Sequence, residues 1–133
     1  MRTNHSHVHV ALVGSHAELP DIAPLLPRRW SSVRYHDLSR LGEADVVVLG
    51  GVSPARVAAA RLLHPTATIL AVTAQRVSDY MIMSMMCSGA DACVHAGTSV
   101  WLARHVLGAH HLRHRLSTIG GAMGGYVPPL QAA

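Results

Sequence analysis

The 133-residue chain contains no lysine: all 11 of its Lys-plus-Arg positions are arginine. Chemistry that needs a primary amine is therefore excluded, whether a Schiff base, a P-loop lysine or any other phosphate-binding lysine. Phenylalanine is also absent and aromatic residues make up only 4% of the chain, which leaves few rings to stack on bases. Acidic residues number 7, for a net charge of +4. Arg28, Arg29, Arg34, Arg40, Arg56, Arg61, Arg76, Arg104, Arg113 and Arg115 are scattered rather than gathered into a stripe. Direct nucleic-acid binding by this domain is accordingly not expected. No apolar run approaches the roughly 18 residues of a membrane span. The opening Met1-Arg2-Thr3-Asn4-His5-Ser6-His7 has no signal-peptide core. The expectation is a cytoplasmic protein with no membrane partner. The two cysteines, Cys87 and Cys93, lack a CxxC context. They are expected as buried apolar thiols in a reducing compartment.

Half of the residues are apolar, enough for one domain with its own core. Residues 8–13 form a first predicted strand, ending at Gly14-Ser15. Residues 17–26 read as a helix interrupted by Pro20 and Pro24, and 32–36 as a weak strand. Ala44-Asp45-Val46-Val47-Val48-Leu49 is β-branched and nearly all apolar, the pattern of a strand buried on both faces. Ser53-Pro54 opens a helix as N-cap and first-turn proline, and it stops before His64-Pro65. A β-rich run covers 68–73, and a Met-rich helix covers 77–88 with Gly89 as C-cap. A short strand follows at 92–95. The last helix starts at Thr98 or Ser99 and reaches about Leu116, with an apolar stripe of Leu102, Val106, Ala109, Leu112 and Leu116. Strands and helices thus alternate, which implies a doubly wound α/β fold. Five parallel strands are sandwiched between four or five helices in three layers, with the second helix reduced or absent. Residues 118–133, rich in Gly and Pro, are expected as a linker or tail after a domain spanning 1–117.

In open α/β sheets the chemistry lies beyond the carboxyl ends of the strands. There the chain offers Gly14, Ser15, Gly50, Gly51, Thr73 and Ala96: no carboxylate, no cation, one threonine. No catalytic residue is assigned. The 11 histidines invite a metal reading, through alternating His5, His7 and His9 or through His110 and His114 at i,i+4. No carboxylate or cysteine joins either group at ligand spacing, so no metal or other cofactor is expected. His110, His111 and His114 are read as solvated. Met81, Met83, Met85 and Met86 belong to a helix that is either core or an adaptable contact surface.

Several phrases resemble the receiver domains of response regulators. Leu63-His64-Pro65-Thr66-Ala67-Thr68-Ile69-Leu70-Ala71-Val72-Thr73-Ala74 is similar to the family's passage from helix 3 to strand 4, and Ser88-Gly89-Ala90-Asp91-Ala92 to the phrase before strand 5. Gly124-Gly125-Tyr126-Val127-Pro128-Pro129 resembles the close of the receiver in the NarL/FixJ subfamily, ahead of a LuxR-type helix-turn-helix. The resemblance covers about residues 8 to 130 and implies a flavodoxin-like, CheY-like fold. It also implies a phosphoacceptor aspartate at Gly50, an acidic pair at Gly14-Ser15-His16, a lysine at Ala96 or His95 and an aromatic switch at Cys93. All of these are missing; only the hydroxyl position matches, as Thr73.

Phosphoryl transfer to a carboxylate requires that nucleophile and cations around it. The sequence therefore leads to a non-enzymatic, phosphorylation-independent pseudo-receiver of a bacterial transcription regulator. It would act through a homodimer or a protein partner, with Met81, Met85, Leu102 and Val106 as candidate interface. Nucleic acid would be met only through a following helix-turn-helix domain. The alternative is a small-molecule sensor that uses the emptied pocket; an enzyme on the same sheet ranks third, lacking a phosphate loop or a Ser-His-Asp set.

Overall fold

In the computed structural model, residues 7–74 and 76–122 are described, with side chains to residue 115. Five parallel strands form one sheet in the order β2-β1-β3-β4-β5, with β1 Val8–Val13, β2 Trp30–Tyr35, β3 Val46–Gly50, β4 Thr68–Thr73 and β5 Ala92–His95. Three α-helices accompany them: α1 Pro54–Leu63, α2 Asp79–Ser88 and α3 Ser99–Ala122. This is the flavodoxin-like order expected from the alternation of elements, with β1 and β3 central and the two halves wound in opposite directions.

Strand β3 is buried along its whole length, as is β4. One face of the sheet, with Val10, Leu12, Val46, Val48 and Leu70, packs against Leu102, Ala103 and Val106 of α3 and against Leu19 and Ile22. The other face, with Val13, Val47, Leu49, Ile69 and Ala71, packs against Val57 and Ala60 of α1 and Met85 of α2. The caps read at Ser53 and Gly89 hold, and Ser78, read inside its helix, proves to be its N-cap. The Ser53 side chain accepts from Arg56 N, that of Ser78 from Met81 N, and Gly89 adopts φ 124° as it closes α2. Thr98 Oγ1 accepts from Trp101 N at the start of α3.

Both connections beside β2 differ from a fully wound fold. The helix expected over 17–26 does not form. Pro20, Pro24 and Pro27 remove N–H donors and crowd the preceding turn, so the chain makes one turn after Ser15 and a 3₁₀ turn at Ala23–Leu25. Between β2 and β3 there is only a 3₁₀ turn at Leu38–Arg40, the reduced second helix of the sequence reading. Among the described residues three α-helices therefore stand where four or five were expected. Helix α3 runs to Ala122, beyond the expected Leu116, so the tail assigned to 118–133 is helical as far as 122. Its remainder lies outside the described residues, as does His5.

Candidate functional site: a glycine cradle filled by Glu18 and Leu19

The loops after β1 and β3 meet at the carboxyl end of the sheet. A Cβ on Gly14 would lie 3.5 Å from Gly50 Cα, so the two backbones are nearly in contact. Gly51 adopts φ 56°, which favours glycine. Thr73 closes β4 in the neighbouring row; it is buried and its Oγ1 donates to Val94 O at 3.4 Å. Ala96 N donates to Thr73 O, 2.8 Å. All six residues read from the sequence as the degenerate pocket thus lie at this end of the sheet, on four different strand ends.

The space beside the glycines is occupied. Ser15 starts a single turn in which Leu19 N donates to Ser15 O at 2.9 Å. Ser15 N donates to Glu18 Oε1 at 3.0 Å, and Glu18 N donates to Ser15 Oγ at 3.3 Å. These reciprocal bonds are a capping box, and they fold the Glu18 side chain back over the glycines. A Cβ at Gly50 would lie 2.9 Å from both Glu18 Cβ and Leu19 Cγ. At Gly51 it would collide with Glu18 Oε2. Leu19 is fully buried. No side chain fits at Gly50 while Glu18 and Leu19 hold these positions. The Ser15-x-x-Glu18 spacing was the signal for this arrangement, and the sequence reading passed over it.

The cations nearby hold the loops. Arg34 donates to Gly14 O (2.9 Å), Leu19 O (2.6 Å) and Asp21 Oδ1 (2.9 Å). Its hydrogen bond to Asp21 keeps that carboxyl below its usual range. Arg56 donates to Gly50 O at 3.3 Å. A divalent metal, which the acidic pair implied by the receiver resemblance would hold, does not fit here. It requires several hard oxygen ligands, whereas Glu18 is folded onto Ser15 and Asp21 onto Arg34. Among the described residues no group of three His, Cys, Asp or Glu is placed to hold a metal.

The candidate interface needs correction. Met85 is 1% exposed, and Leu102 and Val106 are core residues on the opposite face of the sheet; Met81 is half-buried against the cluster that holds Met85. Their helical spacing marks the inward stripe. The outward apolar residues of these helices are Tyr80, Met83, Met86, Val100 and Trp101, with Leu112, read as part of the stripe, exposed as well. Cys87 is exposed rather than buried; Cys93 is half-buried and its thiol is pushed up by burial. His110 is half-buried rather than solvated: its Nδ1 lies 3.2 Å from Thr68 Oγ1, and its ring meets Trp30 edge-on at 5.2 Å. A hollow of about 170 Å³ remains on the far side of Thr73, lined by Arg76, Val77, Ile82, Cys93, His95 and Trp101.

No protein-family model matches the chain, and no curated protein sequence does. Solved structures do. A response regulator from Thermotoga maritima superposes with a TM-score of 0.65 at 15% identity, covering 79% of this chain and 98% of that one. A LuxR-family DNA-binding response regulator from Silicibacter pomeroyi gives a TM-score of 0.65 at 13% identity, with 78% and 92% covered. A LuxR-family two-component response regulator from Aurantimonas sp. SI85-9A1 gives 0.59 at 19%, with 79% and 86% covered. The fold is the flavodoxin-like fold of receiver domains. Among the described residues no helix is long and apolar enough to cross a membrane.

Proposed function

We propose that the chain is an atypical receiver-like regulatory domain of the NarL/FixJ kind that, unlike a phosphorylatable receiver, works without phosphorylation, through dimerisation or a protein partner. The carrying observation is the filled cradle. Where a receiver would present an aspartate, the space a side chain at Gly50 would need is taken by Glu18 Cβ and Leu19 Cγ. The chain has no lysine, and among the described residues no group of three His, Cys, Asp or Glu could hold a metal. We set aside a catalytic role: beside Thr73 and backbone groups the strand ends hold Ser15 and Glu18, which are bonded to each other, and Arg34 and Arg56, which donate to loop carbonyls. Nucleic acid would be met through a helix-turn-helix domain, where one follows, rather than through this sheet, and the cytoplasm is the compartment that suits such a regulator.

The test is direct. The protein is incubated with Mg²⁺ and acetyl phosphate, or with beryllofluoride, and followed by intact mass and by amide spectra. No mass gain and no change around Gly14, Gly50 and Thr73 are expected. Stoichiometric phosphorylation, or a saturable beryllofluoride response centred on that cradle, overturns the reading.

The small-molecule alternative now draws on a different place. Gly14, Gly50 and Gly51 border a filled space, so the volume that remains is the hollow between Thr73 and Trp101. Arg76 and His95 beside apolar Val77, Ile82 and Trp101 would suit a small amphipathic anion. A thermal shift with such compounds that disappears in Ile82→Trp supports this reading; no shift across a panel of them removes it.

A further inference from the structure

Helix α3 carries charge of one sign. The last acidic residue of the chain is Asp91, so α3 holds Arg104, Arg113 and Arg115 and four histidines with no Asp or Glu among them. Arg113 is spent on Asp91 Oδ1, Thr66 O and Pro65 O. Arg104 and Arg115 are exposed, and among the described residues neither has a hydrogen bond or an ion pair.

The inner side of α3, with Leu102, Ala103 and Val106, packs on the sheet. At 3.6 residues per turn, the side opposite presents Trp101, Arg104, Gly108, His111, Leu112 and Arg115. All six are exposed. Trp101 is held in place there: its Nε1 donates to His95 O at 3.2 Å and its ring meets His105 edge-on at 4.3 Å. Trp101 and Leu112 stand eleven positions apart on this face, about 16 Å along the helix axis.

Gly108 lies midway between them. Glycine in a helix interior is less favourable than alanine, so it calls for a reason. Its backbone gives none, because the left-handed glycines are Gly14, Gly51 and Gly89. Packing within the chain gives none either: a Cβ at Gly108 would meet nothing within 4 Å. What the missing side chain leaves is a dip in an exposed basic face, where the backbone of another molecule can come close.

Charge selects the occupant. A second copy would bring two arginines from each chain together with no carboxylate between them, and such like-charge contacts are costly. A lipid surface takes the apolar side of a helix, and that side of α3 is spent on the sheet. Two free arginines fall short of the row of phosphate contacts that holds a duplex, and exposed Leu112 adds nothing to one. An acidic helix with apolar residues among its carboxylates matches the face at each position.

We propose that the outer face of α3 docks an acidic amphipathic helix of a partner protein. Its backbone crosses over Gly108, its apolar residues rest on Trp101 and Leu112, and its carboxylates meet Arg104 and Arg115. The proposal rests on the partner-binding side of the receiver reading and names that partner's chemistry.

The intact chain is titrated with a labelled helical peptide that carries, on one face, two leucines eleven positions apart, an alanine between them and flanking glutamates. Saturable binding is expected, read by anisotropy and by amide shifts centred on α3, and weakened by salt. The same peptide with glutamine for every glutamate should bind at least about tenfold more weakly, the scale of close charge pairs lost from an interface. Gly108→Gln fills the dip with a better helix former. It should raise the melting temperature and weaken the glutamate peptide at least about tenfold, as a block at the centre of an interface does; a glycine kept for the fold would lower the melting temperature instead. Arg104→Glu with Arg115→Glu, both at solvent-exposed positions, should lose the glutamate peptide and take up one with lysines in its place. Absence of binding overturns the proposal, as does binding indifferent to Gly108→Gln or to the charge reversal. Duplex DNA or anionic vesicles held more tightly than the peptide through Arg104 and Arg115 would give the face to another class of partner and overturn it too. The acetyl-phosphate test decides the receiver reading separately in every case.

Discussion

The two ends of this sheet use charge in opposite ways. At the amino end, Asp91 accepts from Ile69 N (2.8 Å), Arg61 Nη2 (2.9 Å) and Arg113 Nη1 (2.8 Å). Arg61 also donates to the carbonyls of His64, Pro65, Ala67 and Gly89, and Arg113 to those of Pro65 and Thr66. One carboxylate and two guanidinium groups thereby tie together the carboxyl ends of α1 and α2, the start of β4 and the last helix. Cations at helix carboxyl ends also suit the helix dipole. At the carboxyl end of the sheet, where this fold ordinarily does its chemistry, the one carboxylate in the cradle lies folded onto Ser15 as packing. At the amino end one carboxylate is shared by two guanidinium groups; at the carboxyl end Arg34 and Arg56 hold the loops from the side, and the glycines themselves meet Glu18 and Leu19 by van der Waals contact.

The largest effect is expected from breaking the charged end. Asp91→Ala strands two guanidinium groups and the Ile69 amide. The Asp91 side chain is 20% exposed, so solvent softens the loss; about 2–3 kcal/mol of stability is expected, under the 3–5 kcal/mol typical of a broken buried pair. Urea denaturation measures it. A change under about 0.5 kcal/mol, the range of an ordinary surface substitution, would remove the contrast between the two ends.

Next comes the packed end. Gly50→Ala drives a methyl against Glu18 Cβ and Leu19 Cγ, an overpacking cost of roughly 1–3 kcal/mol. If the cradle is held by contact, the cost of Gly50→Ala should shrink in a Leu19→Ala background, where part of that space is vacated. The same urea titrations on the two single variants and the double give the coupling. Strict additivity would mean that Leu19 is not what fills the cradle.

The strands buried by β-branched runs were legible in the sequence, because a run such as Val46-Val47-Val48-Leu49 has few other places to go. So were the caps at Ser53 and Gly89, where the signal is local; Ser78, which caps α2, had been read inside its helix. What escaped was either a proline effect underestimated or a contact over distance. Three prolines in 20–27 abolish a helix that apolar content alone suggested. Asp91 meets Arg61 and Arg113 from 30 and 22 positions away, and the sequence showed only scattered arginines. The missing reactive groups of the cradle were plain from residue identity, but what replaced them was not. Glu18 carries no motif beyond its spacing from Ser15, and its place over Gly51 depends on how two loops approach.

The smallest effect separates the ends by pH. His110 sits near the amino end of β4, against Thr68 and the Trp30 ring. Burial holds its imidazole below the ordinary value; the charge of Asp45 works against that shift, and His114 and His111 reinforce it. The folded protein therefore binds a proton at His110 less readily than the unfolded chain does. Stability from this group is fully present above the unfolded value of about 6.5. It falls as the pH drops below that value, and it levels off once the folded imidazole is itself protonated. Urea titrations at pH 7.5 and at steps below 6.5, on the protein and on His110→Gln, give the difference in slope. The variant should lose part of the acid-side decline, by less than the cost of Gly50→Ala, and the coupling between Gly50 and Leu19 should stay the same at every pH. Equal slopes would mean that His110 keeps its proton balance on folding, and a coupling that tracked pH would mean that the two ends are not separate.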